Sequence, residues 1–276
     1  MPNISIDKVT NFIGVDISKD TIDVSIVTTT DKQDLPHFKL DNNRSGFRLL
    51  RKKLIGLGIR INGQSLIICE SIGVYSKALL DYFTDKNILL CVESGFRIKR
   101  SLGIQRGKND KLDAKRIACY ALTHRKTLQL FVQPREEVQK LKLLLTNRER
   151  LLRLLLSTKT PLKALKSFYK FKEMKFIEKL NQQATGGIKR SVDAIENEIK
   201  QLIQRDEKLR KQTNLLTSIP GIGWLVASNF IAYTNEFSQC RNGKQLACYS
   251  GVAPFKYTPV RASVGQLMSA KYAIGS

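Results

Sequence analysis

The chain is poor in the residues that build zinc sites and disulfide frameworks. It has two histidines, His37 and His124, and five cysteines that show no Cys-x-x-Cys spacing. Structural zinc sites use closely spaced cysteine and histidine pairs, so the sequence argues against one. The cysteines are odd in number and most lie in apolar runs, which fits a reducing cytoplasm.

Long hydrophobic runs are also missing. No stretch of about 18 apolar residues is present to span a bilayer. The polar start, Met1-Pro2-Asn3-Ile4-Ser5, does not have the pattern of a signal peptide. We therefore expect a cytoplasmic protein.

Acidic residues are the third shortage, with 24 Asp and Glu against 47 Lys and Arg. The formal net charge is +23, and the isoelectric point is near 9.9. This imbalance predicts a polyanionic partner, with nucleic acid first and a membrane surface as the alternative. A chain of 276 residues, 42% of them hydrophobic, has material for one large domain or two smaller ones with a core.

The first 134 residues have the pattern of an α/β domain. Apolar runs and alternation predict strands over 12–15, 22–26, 38–40, 65–69 and 88–92, and helices over 46–57, 74–83 and 110–122. This order predicts a β-meander followed by alternating helices and strands, with the helices packed against a mixed sheet.

Residues 135–213 have the pattern of long helices. Leucines recur at helical spacing, and Pro161 and Gly186-Gly187 interrupt the pattern, so we expect two or three helices in a coiled-coil hairpin. Between Lys140 and Lys175 there are eleven basic residues and two acidic ones. A helix surface of nearly one sign favours contact with nucleic acid or a partner over an ordinary solvated face.

Residues 214–276 begin with a helix end, the turn Ile219-Pro220-Gly221-Ile222-Gly223 and a second helix start. This is the pattern of a helix-hairpin-helix, in which Gly221 and Gly223 allow close approach of a DNA backbone and the helix N-terminus offers N–H groups to a phosphate. Such a motif binds DNA without reading bases. The alternative is a glycine-rich turn between two packed helices. We expect Trp224 to anchor a core.

Four acids carry the candidate chemistry: Asp16, Glu70, Asp110 and Asp113. The first two follow apolar strand-like runs, and the last two are three residues apart, so on a helix they share one face. Carboxylates from separate, converging elements can hold two divalent ions against a phosphodiester. Each acid also has a structural alternative, because aspartate and glutamate cap turns and helix N-termini. Cations near the second pair could neutralise bound phosphates; they are Lys108, Lys111, Lys115 and Arg116.

These motifs together resemble the DEDD transposases of bacterial insertion sequences, the insertion-sequence 110 family that includes Piv-type DNA invertases. The matching N-terminal segments are Ile13-Gly14-Val15-Asp16-Ile17-Ser18-Lys19, Cys69-Glu70-Ser71-Ile72-Gly73-Val74-Tyr75 and Lys108-Asn109-Asp110-Lys111-Leu112-Asp113-Ala114. The C-terminal ones are Ile219-Pro220-Gly221-Ile222-Gly223 and Leu246-Ala247-Cys248-Tyr249-Ser250-Gly251-Val252-Ala253-Pro254-Phe255.

The resemblance implies a RuvC-like, RNase H-type catalytic domain over 1–134, a helical coiled-coil segment over 135–213 and a small C-terminal transposase domain over 214–276. It implies DNA strand cleavage and exchange with Mg²⁺ or Mn²⁺ held by the four acids. It further implies a homo-oligomer formed through the helical segment, a nucleoid-associated location and, in some members, an element-encoded guide RNA.

The sequence departs from the family pattern after Tyr257. Family members carry a Ser-Gly-rich stretch there with a serine thought to attack DNA, whereas this chain reads Thr258-Pro259-Val260-Arg261-Ala262-Ser263-Val264-Gly265. We interpret this as a frameshifted, truncated copy that keeps the acids and has lost the serine. Nothing adjacent to Ser263 would activate it as a substitute.

Two other functions compete with a recombinase. The segment from Gly14 to Lys19 also resembles the first phosphate-binding hairpin of sugar-kinase or actin-like ATPases, but the second phosphate loop and the adenosine motif of that fold are not found. A non-catalytic DNA- or RNA-binding protein is the third possibility, because it would need only the basic surfaces.

Overall fold

The computed structural model describes residues 6–29, 36–59, 63–84, 86, 88–101, 110–238, 240 and 242–249. The chain divides into two compact units, Met1–Glu136 and Glu137–Ser276. Within the described ranges, no helix combines the length and the apolar character needed to cross a membrane. Residues 251–276, which include the proposed frameshift and Ser263, lie outside the described residues.

The described part of the first unit contains a five-stranded mixed sheet. Its strands are β1 (Asn11–Ile17), β2 (Thr21–Thr28), β3 (Phe38–Asp41), β4 (Ser65–Glu70) and β5 (Leu89–Glu93). The order across the sheet is β3-β2-β1-β4-β5. The first three strands pair antiparallel, whereas β4 pairs parallel with both β1 and β5. The predicted α/β architecture with a mixed sheet is confirmed.

Helices pack on both faces of this sheet. They are α1 (Arg44–Gly56), α2 (Lys77–Thr84, after a 3-10 turn at Gly73–Ser76), α3 (Gly95–Ser101) and α4 (Asp110–Thr123). Residues of α1 and α2 share one apolar cluster with alternate strand residues, and residues of α3 and α4 share a second cluster with the other strand residues. Because consecutive strand side chains point to opposite faces, both faces of β1 and β4 are apolar and buried. The sequence did not predict α3.

The described part of the second unit is helical. Its helices are α5 (Glu136–Phe168), α6 (Glu173–Arg205), α7 (Glu207–Thr217), α8 (Trp224–Tyr233) and α9 (Gly243–Tyr249). Two ion pairs, Arg148–Glu196 and Lys166–Glu178, join α5 to α6, and their numbering shows that the two helices run antiparallel. The bend lies at residues 169–172. The expectation that Pro161 and Gly186-Gly187 interrupt the helices was wrong, because α5 and α6 continue through them.

A core closes the base of this hairpin. Val138 and Leu141 of α5 cluster with Ile199 and Ile203 of α6, and Leu209 of α7 and Ile231 of α8 complete the cluster. Trp224 packs partly buried against the same core, with Lys200 Nζ 5.0 Å from its ring centroid. These contacts agree with the expectation that Trp224 anchors a core.

Candidate functional site

Four carboxylates form a row across four adjacent strands. Asp16 of β1 is paired directly with Asp23 of β2, and Glu70 of β4 with Glu93 of β5. The parallel register of β1 and β4 places Asp16 beside Glu70. Neighbouring strands lie about 4.8 Å apart, so the row brings acids from distant parts of a basic chain within reach of one another. Sequence reasoning identified Asp16 and Glu70 and missed the two outer members.

All four acids lie on the face of the sheet that α4 covers. Phe12 belongs to the apolar cluster that also contains Ile117 and Tyr120 of α4. Gly14 and Asp16 follow Phe12 at steps of two residues, so they lie on the same face of the sheet. A Cβ atom built on Gly14 would lie 2.2 Å from the carbonyl oxygen of Ala114, so the helix backbone rests directly on the strand there. Ala114, the residue that follows Asp113, therefore rests on β1 two residues before Asp16.

This contact places Asp113, the residue before Ala114, near the end of β1 that carries Asp16. Asp110 is the first residue of α4, and Asp113 lies one turn further. The side chains of Asp110 and Lys111, and all of Lys108, lie outside the described residues. The described geometry therefore brings β1 and the N-terminal half of α4 together at the level of backbone elements.

Arg116 forms an ion pair with Asp113, with 2.6 Å between Nη1 and Oδ1. Both side chains are partly exposed, at 22% for Arg116 and 30% for Asp113. We expected Arg116 to face a bound phosphate. In the structure, Asp113 of the same helix competes for its guanidinium. Lys115 is partly buried on the same helix.

Gly95 contacts the carboxylate of Glu70. A Cβ atom at position 95 would lie 1.7 Å from Glu70 Oε1, so a side chain there would displace this carboxylate. The Ser71 N–H donates a 2.9 Å hydrogen bond to the carbonyl of Glu93, which links the ends of β4 and β5. Among the described residues, Glu70 has no hydrogen-bond or ion-pair partner for its side chain. Its carboxylate is held by packing and keeps its oxygens available for a ligand.

Glu93 is tightly bound by its surroundings. Its Oε1 accepts from the Ser94 N–H at 2.8 Å, and its Oε2 accepts from the Tyr120 hydroxyl at 3.0 Å. Arg97 Nη1 lies 3.4 Å from Oε2. Burial of the ring, together with the negative charge of Glu93, raises the pKa of Tyr120 to about 12. The sequence did carry a signal for Glu93, because it ends an apolar strand run in the same way that Glu70 does.

Asp23 is the most enclosed acid of the row, with 8% of its side chain exposed. His37 Nε2 lies 2.8 Å from Oδ1, and Lys39 Nζ lies 3.7 Å from Oδ2. Burying a carboxylate is costly unless such partners satisfy its oxygens. The alternating pattern of β2 gave no indication of this role, because polar positions of a strand usually face solvent.

The oxygen donors of this row suit a hard divalent cation. No group of three Asp, Glu, His or Cys side chains within the described ranges is already close enough to hold an ion. The thiols of Cys69 and Cys91 are unsuited to the role, because burial raises the pKa of each to about 12 and keeps them protonated.

The second unit carries the predicted backbone-binding turn. Gly221 has φ of +89°, a left-handed conformation that favours glycine. Gly223 is the N-cap of α8 and has no side chain to bond the first N–H groups of the helix. Both glycines are exposed. The turn therefore presents uncapped backbone donors, although the helix-hairpin-helix function itself stays a prediction.

Comparison with known proteins agrees with this arrangement. Residues 13–169 match a family model for DEDD transposases of the IS110 type, described as a transposase, and this range contains all four predicted acids. Residues 213–259 match a second model, described as the transposase IS116/IS110/IS902 family, and this range contains the Gly221–Gly223 turn.

Two named proteins are similar over most of the chain. The pilin gene-inverting protein of Moraxella lacunata is 29% identical over 247 residues, which cover 88% of this chain and 72% of that protein. The transposase for insertion sequence element IS1533 of Leptospira borgpetersenii is 21% identical over 258 residues, covering 84% and 72% respectively. With the first family model spanning more than half of its residues, the chain belongs to the IS110 family of transposases.

Proposed function

We propose that this transposase cleaves and exchanges DNA strands in a metal-dependent reaction, with Asp16, Glu70, Asp110 and Asp113 holding Mg²⁺ or Mn²⁺. The observation that carries the proposal is the direct contact of Ala114, which follows Asp113, with Gly14 of β1, two residues before Asp16. The lack of a side chain at Gly14 allows this contact. When bound, such ions would polarise the phosphodiester and stabilise the attacking and leaving oxygens.

The chain's own residues prepare this site in distinct ways. Gly95 and the β4–β5 pairing fix the position of the Glu70 carboxylate, and Tyr120 and Arg97 hold Glu93 beside it. Asp113 would be a ligand of such an ion in place of its ion pair with Arg116. Arg116, with Lys108, Lys111 and Lys115, would contact the phosphates of the DNA.

The strand order supports a RuvC-like, RNase H-type domain. The mixed sheet, with the order β3-β2-β1-β4-β5, is consistent with the domain that the family resemblance implies. The resemblance also implies that the helical hairpin joins copies of the chain, that a guide RNA participates and that the protein acts on DNA in the bacterial nucleoid. These remain part of the proposal.

The uncapped α8 N-terminus supports a second DNA contact. Gly221 and Gly223 are exposed, no side chain caps the first turn of α8, and a helix N-terminus favours a phosphate. The contact would position DNA without reading its sequence. Family membership favours this DNA-handling role over an actin-like or sugar-kinase-like ATPase.

Cleavage of branched DNA and strand exchange on the element's own ends, each with and without Mg²⁺, test the proposal. Asp16→Asn should abolish cleavage and leave DNA binding and thermal stability near those of the parent. Asp193→Asn, an exposed aspartate of α6, is the matched control and should cleave normally. Equal cleavage by parent and Asp16→Asn would remove the metal site from the mechanism. Binding without any cleavage by the parent would favour the non-catalytic alternative.

A further inference from the structure

The distal end of the α5–α6 hairpin is an unusual surface, which we call the hairpin tip and define as residues 163–180. Lys166 of α5 pairs with Glu178 of α6. Phe168 and Phe176 are each two residues closer to the bend, so they lie at the same level of the hairpin. The bend at residues 169–172 closes the tip. The Tyr169 N–H donates to the Leu165 carbonyl at 2.8 Å, and the Met174 N–H donates to the Phe171 carbonyl at 3.1 Å.

Four aromatic side chains of the hairpin tip face solvent. The exposed fractions are 82% for Phe168, 49% for Tyr169, 66% for Phe171 and 64% for Phe176. The fully described stretch from 156 to 184 contains no buried side chain, so these rings do not belong to a core of the second unit. Exposed apolar surface of this extent marks an interaction site.

Lysines surround the rings. The hairpin tip holds six lysines and two glutamates, and one of the glutamates already pairs with Lys166. The lysines, all exposed, are Lys163, Lys166, Lys170, Lys172, Lys175 and Lys179. A second copy of the tip would bring the same positive charge against it, so a direct tip-to-tip contact is electrostatically disfavoured. The complementary partner is a polyanion that also has flat apolar faces.

Single-stranded nucleic acid has both properties. Unpaired bases stack on aromatic rings, and the lysines follow the phosphates. A duplex keeps its bases stacked on one another and offers only phosphates. A lipid surface would accept the rings and the lysines but has no planar faces to stack.

We propose that the hairpin tip binds single-stranded DNA by stacking bases on Phe168 and Phe176, with Tyr169 and Phe171 extending the platform. The choice of DNA rests on the proposed function, because strand exchange by a transposase exposes unpaired DNA strands. The tip would hold such a strand while the carboxylates act elsewhere in the chain.

The test uses the full chain in EDTA, so that the metal site does not contribute. Fluorescence anisotropy measures binding to a labelled oligodeoxythymidine and to a blunt duplex of the same length. Phe168→Ala/Phe176→Ala should weaken oligodeoxythymidine binding about 30-fold and duplex binding less than twofold, because only the single strand loses stacking. Leu143→Ala, which removes an equally exposed apolar side chain of α5, is the control and should change neither affinity.

The lysines are tested separately through the salt dependence. Lys170→Gln/Lys172→Gln should reduce the slope of log affinity against log salt by about 1.4 for the single strand, whereas the aromatic variant should leave the slope unchanged. The different salt slopes of the lysine and aromatic variants distinguish phosphate contacts from stacking.

Several results would overturn the assignment. Equal losses on single strand and duplex would show that the rings do not stack on bases. If the matching oligouridine binds more tightly than oligodeoxythymidine and loses more affinity in Phe168→Ala/Phe176→Ala, the surface binds RNA. If that variant changes the sedimentation of the protein and leaves the oligonucleotide affinity unchanged, the surface mediates self-association. Because the tip proposal is tested by binding in EDTA and the metal proposal by cleavage in Mg²⁺, failure of the one and failure of the other give different results.

Discussion

Gly95 lies directly against Glu70: a Cβ atom at position 95 would come within 1.7 Å of Glu70 Oε1 and 2.3 Å of its carboxyl carbon. The two residues come from the ends of neighbouring strands β4 and β5, where Glu70 and Glu93 are paired. The glycine therefore determines where the Glu70 carboxylate can lie, although it has no functional group of its own.

Gly95→Ala should lower metal-dependent cleavage roughly 100-fold, because a carboxylate displaced by about 1 Å no longer meets the reacting group in the right geometry. DNA affinity and the thermal midpoint should change little, since Gly95 begins a short surface helix. Gly187→Ala, at a helical position where nothing lies within 4 Å of the added methyl, is the control and should cleave normally. Normal cleavage by Gly95→Ala would show that Glu70 can move without loss of function.

Gly14→Ala tests the contact between α4 and β1. The added methyl would lie 2.2 Å from the Ala114 carbonyl oxygen and 2.5 Å from the Ala118 nitrogen, and both belong to the helix backbone and cannot rotate away. We expect a loss of about 3 kcal/mol in the free energy of unfolding, at the upper end for an overpacked core. Urea unfolding followed by circular dichroism measures it. An unchanged midpoint would mean that α4 does not rest on Gly14.

The sheet was predictable from sequence because its strands carry clear hydrophobic patterns. β2 alternates, and β1 and β4 are continuous apolar runs that end near an acid. The helix α3 was not predictable in the same way. It has seven residues with only Ile98 buried, which is too short for a helical period to show.

The candidate site was predictable only in part. Asp16 and Glu70 follow strand runs, and the family resemblance singled them out with Asp110 and Asp113. Asp23 was missed because a polar residue in an alternating strand normally faces water, whereas here α4 covers that face. Its burial depends on contacts between residues about 90 positions apart, which no local pattern contains. Glu93 had a local signal, the strand run before it, but its bonds to Tyr120 and Arg97 also come from the fold.

Tyr120 should titrate abnormally, with a pKa of about 12, because its ring is buried and its hydroxyl faces Glu93. The pKa is raised on folding, so the stabilising hydrogen bond is present below about pH 10 and is lost as the pH rises from about 10 to about 12. NMR titration of Cζ-labelled tyrosine, with Tyr120→Phe to assign the signal, measures this pKa. Glu93→Gln should lower it, and an unchanged value would exclude Glu93 as a contributor.

Substitutions at the two glycines of the α7–α8 turn distinguish a requirement for backbone conformation from a contact with DNA. Gly221 has φ of +89°, so Gly221→Ala should cost about 1–2 kcal/mol of stability through backbone strain. Gly223 has φ of −81° and is the N-cap of α8, a position that any residue can adopt. Gly223→Ser should therefore stabilise the helix by a few tenths of a kcal/mol, because the hydroxyl caps an N–H group of the first turn.

The same serine should weaken DNA binding, since its hydroxyl takes an N–H group that a phosphate would otherwise bind. We expect about a tenfold loss of affinity for a blunt duplex by fluorescence anisotropy, which corresponds to one hydrogen bond to a charged group. Stability and affinity thus move in opposite directions for Gly223→Ser, which neither misfolding nor a purely structural turn would produce. If the affinity holds while the helix is stabilised, the turn packs two helices together and DNA is bound elsewhere.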